Sequence, residues 1–91
     1  MSYVKIRIQS VASRDDLQRW EDRMLEDAKC WNKFCLGLCD YHELRAVHVV
    51  KEGNEDNIFL TTLCEDCIKT TADYGLLVNE NHLIVETHRK E

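Results

Sequence analysis

The chain opens on a strict alternation. Between Tyr3 and Gln9, Val4, Ile6 and Ile8 fall on one side and Tyr3, Lys5, Arg7 and Gln9 on the other. A period of two with β-branched residues predicts a half-buried strand. The period then changes. Leu17, Trp20, Met24, Ala28 and Trp31 recur at spacings of three, four, four and three, which places them on one stripe of a helix. Ser13 offers an N-cap oxygen, Asp15 and Asp16 follow in the first turn, and Lys29 and Lys33 lie at the other end, where the helix dipole favours positive charge. The pattern predicts a long helix from Ser13 to about Lys33, with Asp15 and Arg19 as an i,i+4 pair.

Alternation returns at Leu44 to Val50, although both sides of that run contain apolar residues. Lys51 to Asn57, with Gly53 and Asn54, reads as a polar turn, and Ile58 to Leu63 as a second β-branched strand, so the two make a hairpin. Cys64 opens a short helix from Glu65 to about Tyr74, with Gly75 as its cap. Leu76 to Val78 and Leu83 to Thr87 read as short strands, and the latter is expected to pair with Val4–Ile8. His88 to Glu91 reads as a frayed tail. The chain has no proline, repeat or low-complexity run, so residues 1–91 are expected to form a single α+β domain.

The cysteines change this picture most. Cys35-Leu-Gly-Leu-Cys39 and Cys64-Glu-Asp-Cys67 are two close pairs separated by twenty-four residues. Zinc takes four thiolate or imidazole donors in a tetrahedron, and each short turn can deliver two. The expected ligands are therefore Cys35, Cys39, Cys64 and Cys67, holding a structural Zn²⁺. Cys39-Asp-Tyr-His42 is also a Cys-x-x-His spacing, so His42 is an alternative to Cys35, as is Cys30 folding back from the helix end. Gly37 eases a tight turn between Cys35 and Cys39. Five cysteines is an odd number, which suits four ligands and a spare better than a disulfide framework. The run Met1 to Ile8 carries Lys5 and Arg7 inside its apolar stretch, unlike a signal peptide, and a cytoplasmic location is expected, where thiols stay reduced.

Charge narrows the function classes. Seventeen acids against twelve bases give a net charge of −5; four thiolates and one Zn²⁺ take this to about −7. The longest basic run is Arg89-Lys90, so a surface that tracks phosphates is not expected.

The order of cysteine turn, hairpin and cysteine pair opening a helix resembles the treble-clef zinc finger over residues 35–74. Leu63-Cys64-Glu65-Asp66-Cys67 carries most of the likeness. It is similar both to the HNH (His-Me finger) endonuclease family and to the zinc-binding docking domain of the ClpX unfoldase. Against the first, His48 in Ala46-Val47-His48-Val49 matches the general-base histidine. The metal-binding positions do not match: Val47 precedes that histidine, Ile68 follows the last cysteine, and Phe59 stands where the family keeps asparagine, with Asn57 two residues early. One histidine cannot both hold a catalytic metal and act as the base, so no catalytic residues are expected.

Two readings follow. The first is a zinc-binding protein-interaction module, an adaptor, inhibitor or regulator of a larger machine, of a size that suits a phage-encoded protein. It would use Trp31, Phe34, Glu65 and Asp66 to meet its protein partner. The alternative is a nucleic-acid-acting treble clef, with Lys5, Arg7, Arg45, Lys51 and Lys69 gathered on one face. His82 and His88 read as surface histidines, and Cys30 as a residue near the edge of the helix stripe.

Overall fold

A computed structural model describes residues 3–33, 35, 39–74 and 76–86. Phe34, the Gly37 turn, the Gly75 cap and the tail from Thr87, with His88, lie outside these residues. The described elements are β1 (Tyr3–Val11), α1 (Arg14–Met24), β2 (Leu44–Lys51), β3 (Asn54–Cys64), α2 (Glu65–Tyr74), β4 (Leu76–Asn79) and β5 (Ile84–Val85). A 3-10 turn at Tyr41–Glu43 leads into β2, and another at Glu80–His82 joins the last two strands. The five strands form one sheet in the order β4-β1-β2-β3-β5, with every pairing antiparallel.

The hairpin β2–β3 is the centre of the sheet. Its turn is tighter than the sequence suggested: Lys51 pairs with Asn54, so Glu52 and Gly53 alone make the loop. Gly53 has φ +86°, in the left-handed region where a side chain is strained, although there is open space around it. Opposed residues share a face, so Leu44 and Ala46 lie with Cys64 and Thr62, and Val47 and Val49 with Thr61 and Phe59. All eight are buried. Both faces of the hairpin are therefore covered, which is why its sequence reads as nearly continuous apolar runs. α1 packs against β2 and β3, and α2 against β3 and β1.

β1 keeps the expected alternation, with Ile6 buried and Tyr3, Lys5, Arg7 and Gln9 exposed. Its C-terminal-strand partner differs from the expected one. Val4 and Ile6 pair with Val78 and Leu76 of β4, whereas the later run contributes β5, which pairs with Phe59 and Leu60 of β3.

The first helix is also shorter than the stripe predicted. α1 starts as expected: the Asp16 carboxylate accepts the Ser13 N–H at 3.2 Å and the Ser13 hydroxyl at 3.1 Å. Arg19 pairs with Asp16 and reaches across to Glu86, rather than pairing with Asp15. The helix then stops at Met24, because Leu25 turns into the left-handed conformation (φ 60°, ψ 36°) while its N–H still donates to Glu21 O. The Glu21 carboxylate accepts the Ala28 N–H at 2.8 Å, fixing the turn. Trp20 and Ala28 are buried as the stripe implied, but Ala28 and Trp31 reach the core from an irregular segment.

That segment ties the sheet together. Trp31 N–H donates to Thr62 O of β3 at 3.2 Å, and Lys33 N–H to Leu77 O of β4 at 2.7 Å. Asn32 bridges to Val78. Three consecutive residues thus reach strands on opposite sides of the sheet order, so the sheet is curled. No described helix is long and apolar enough to cross a membrane.

Candidate metal centre

Four sulfurs meet where this segment crosses the end of the hairpin. Those of Cys30, Cys35, Cys64 and Cys67 all lie within 4.8 Å of one another. Three pieces of chain deliver them: the segment after α1 brings Cys30 and Cys35, the end of β3 brings Cys64, and the first turn of α2 brings Cys67. The Cys30–Cys67 separation is 3.5 Å and the Cys35–Cys64 separation 4.0 Å. A tetrahedral ion with bonds of about 2.3 Å to sulfur sets its ligands about 3.8 Å apart, and the two distances bracket that value. They are far longer than the roughly 2.05 Å of a disulfide, and all five cysteines are free. These four cysteines can coordinate a metal ion.

The hydrogen bonds suit thiolates. Cys30 sulfur accepts the backbone N–H groups of Cys64 and Asn32, and the Asn32 amide donates to Cys67 sulfur at 3.3 Å. Cys67 also lies in the first turn of α2, where the helix dipole favours negative charge. Burial works the other way. It raises the Cys30 thiol strongly and pushes Cys67 and Cys39 up to about 11. Without a cation these groups are neutral thiols; a divalent ion would draw off their protons.

Cys39, one of the four expected ligands, stands outside this set. Its thiol is hydrogen-bonded with Cys35 and Cys64, so it flanks the group, and Cys30 occupies the fourth corner. His42 is exposed on the 3-10 turn and groups with Asp40 and Glu43 instead of the cysteines. Cys30 and Cys39 both border a cavity of about 320 Å³, together with Ala28, Lys29, Tyr41 and Leu44.

The other candidate residues separate. Trp31 is half-buried, its ring stacked on His82 (centroids 3.7 Å apart, planes at 14°) and tilted against Trp20 at 5.7 Å. It packs into the fold, and His82 with it; burial lowers the His82 pKa. Glu65 accepts from Arg45 at 2.6 Å, and Asp66 is exposed beside it on the first turn of α2. His48 lies on β2, opposite Ser10 of β1, its Nδ1 3.4 Å from the Ser10 hydroxyl and its Nε2 3.9 Å from Glu86.

Sequence reading missed Asn32, which both pins the segment to β4 and donates to Cys67. Its only signal was its position between two cysteines. No protein-family model, curated protein or solved structure matches this chain.

Proposed function

We propose that this chain is a zinc-stapled protein-interaction module, a small adaptor or regulator working in the reducing cytoplasm. The observation that carries the metal half is the closed four-sulfur group at the joint of three chain segments. A shell filled by protein sulfur leaves no position for substrate, which is the pattern of structural zinc. The order of hairpin, Cys64 and Cys67 at the start of α2 supports a treble-clef-like arrangement over residues 35–74.

The interaction half is supported by what the basic side chains do. Arg7 pairs with Glu55, Arg45 with Glu65 and Lys51 with Glu80. Three of the five cations that a phosphate-binding face would need are engaged by carboxylates, on a chain of net charge −5. Asp66, exposed on the first turn of α2, would meet a basic patch on the partner, with Glu65 beside it able to exchange Arg45 for a partner cation. His48 has Ser10 and the Glu86 carboxylate beside it, and among the described residues it belongs to no cluster of three metal-binding side chains that would support nuclease chemistry.

The test has two stages. Protein purified without added zinc is expected to carry one zinc per chain. The zinc-loaded chain is then used as bait beside its Glu65→Gln/Asp66→Asn variant, with a protein partner expected on the first and weaker on the second. Recovery of nucleic acid in place of protein would overturn the reading. So would Mg²⁺- or Mn²⁺-dependent cutting that is lost in His48→Ala.

A further inference from the structure

Five sulfurs surround a centre that needs four, and their surroundings are unequal. Cys64 and Cys67 are buried, at 3% and 8% exposure. Cys35 touches both sides of the group: it lies within 4.8 Å of Cys30, Cys64 and Cys67 and is hydrogen-bonded with Cys39. These three are common to a set completed by Cys30 and to one completed by Cys39. Cys30 and Cys39 compete for the remaining corner. Cys30 holds it in this conformation, supported by the N–H groups of Cys64 and Asn32. Cys39 waits against two of the fixed sulfurs, Cys35 and Cys64. Both competitors are half-buried and border the same cavity of about 320 Å³, with Lys29 also in its lining.

We propose that the centre binds its ion through three fixed sulfurs, Cys35, Cys64 and Cys67, and an exchangeable fourth that is either Cys30 or Cys39. The displaced sulfur borders their shared cavity, where a small soft electrophile can reach it and alkylate its ionised form. This rests on the metal-centre reading above. Exchange needs no new fold, because Cys39 already touches two of the three fixed sulfurs.

Cobalt(II) substitution and alkylation test it. Cys30→Ser and Cys39→Ser are each expected to keep the sulfur-to-cobalt charge-transfer intensity of the wild type at one equivalent of Co²⁺. The double variant Cys30→Ser/Cys39→Ser loses about a quarter of it, one sulfur in four. In zinc-loaded wild type, limiting iodoacetamide adds at most one carbamidomethyl group to any chain as a thiolate sulfur displaces iodide. Mass mapping should find the group on Cys39 in some chains and Cys30 in others, never on both while zinc is retained. The wild-type measurement holds even where a serine variant fails to fold. If either single variant alone loses the four-sulfur intensity, or if zinc-loaded chains are labelled on Cys35, Cys64 or Cys67, the exchange is refuted while the metal centre stands. Wild-type protein that takes up neither cobalt nor zinc refutes the metal centre itself, and the exchange with it.

Discussion

Removal of the metal is the most demanding test of the structure. A structural zinc contributes an apparent free energy of about 10–16 kcal/mol in small zinc modules at neutral pH. A 91-residue domain has a total stability of roughly 5–14 kcal/mol, at about 0.05–0.15 kcal/mol per residue. The ion therefore contributes as much as the whole margin. The structure shows where the loss falls. Between Leu25 and Asp40 the described residues form no helix or strand beyond the Asn32 bridge. Hydrogen bonds hold this stretch at Glu21, Thr62 and Leu77, and the sulfurs of Cys30 and Cys35 hold it at the centre. Without the ion the sulfurs are neutral thiols, and those few bonds must order the segment alone. Trp31 leaves its stack on His82 and its contact with Trp20. Each kcal/mol lost lowers Tm by roughly 4–8 °C at this size, so even a loss of about 5 kcal/mol means a fall of at least about 20 °C. The assay is near-UV circular dichroism and tryptophan fluorescence during titration with a strong chelator, with metal content measured on the same samples. The expected outcome is loss of the tryptophan signal, restored by one equivalent of Zn²⁺. Metal-free protein that kept its near-UV spectrum, with Tm within about 5 °C of the starting value, would refute the reasoning.

Three further outcomes follow from packing and protonation. Trp20 is fully buried and donates its indole N–H to His82 O at 3.1 Å, so Trp20→Ala should cost about 3–5 kcal/mol in urea unfolding; a cost below about 1 kcal/mol would contradict its place in the core. Leu25 is 89% exposed and left-handed, so Leu25→Gly removes backbone strain without losing burial and should raise stability by about 0.5–1 kcal/mol; a lower Tm would count against the helix ending there. Burial against Trp31 holds the His82 pKa below its usual 6.5, with Lys29 adding to the effect and Glu26 opposing it. Neutral His82 therefore stabilises the fold above about pH 6.5, and this contribution is lost as pH falls through the lowered value. The Tm of wild type should drop relative to His82→Phe between pH 7 and pH 5, and parallel curves would show that His82 is not buried as described.

The elements that sequence revealed are those in which local pattern and tertiary environment agree. β1 has one buried face, so its alternation is clean. α2 starts where Cys64 ends a strand and acids gather, and its bounds match the expectation. The length of α1 shows the opposite case. Nothing in Leu25-Glu26-Asp27-Ala28 stops a helix: there is no glycine or proline, and leucine is a strong helix former. A straight continuation would carry Cys30 about 9 Å past Met24 along the axis, fixed on a rod. The chain instead turns at Leu25 and folds back to Cys67, 37 residues further on. The apolar stripe recorded which residues pack into the core, Ala28 and the half-buried Trp31 included, but not the conformation that brings them there. The two C-terminal runs were ambiguous for a related reason. Both are short and apolar, and β4 is further held by contacts across more than forty residues, Lys33 N–H donating to Leu77 O and Leu77 N–H donating to the Asn32 side chain.

The same division runs through the metal centre. Close spacing identifies sulfurs that one turn can bring together, and by that measure Cys35 with Cys39 is the natural pair. Spacing carries no information on which thiolate the backbone will stabilise. The N–H groups that do so at Cys30 come from Cys64, at the far end of the hairpin, and from Asn32, in a segment whose path depends on α1 ending early. Cys39, despite its tighter spacing, has thiol neighbours in Cys35 and Cys64, and burial together with both of them raises its pKa. A sequence can therefore count the donors of such a centre, whereas their ranking is decided by hydrogen bonds from residues that become neighbours only in the folded chain.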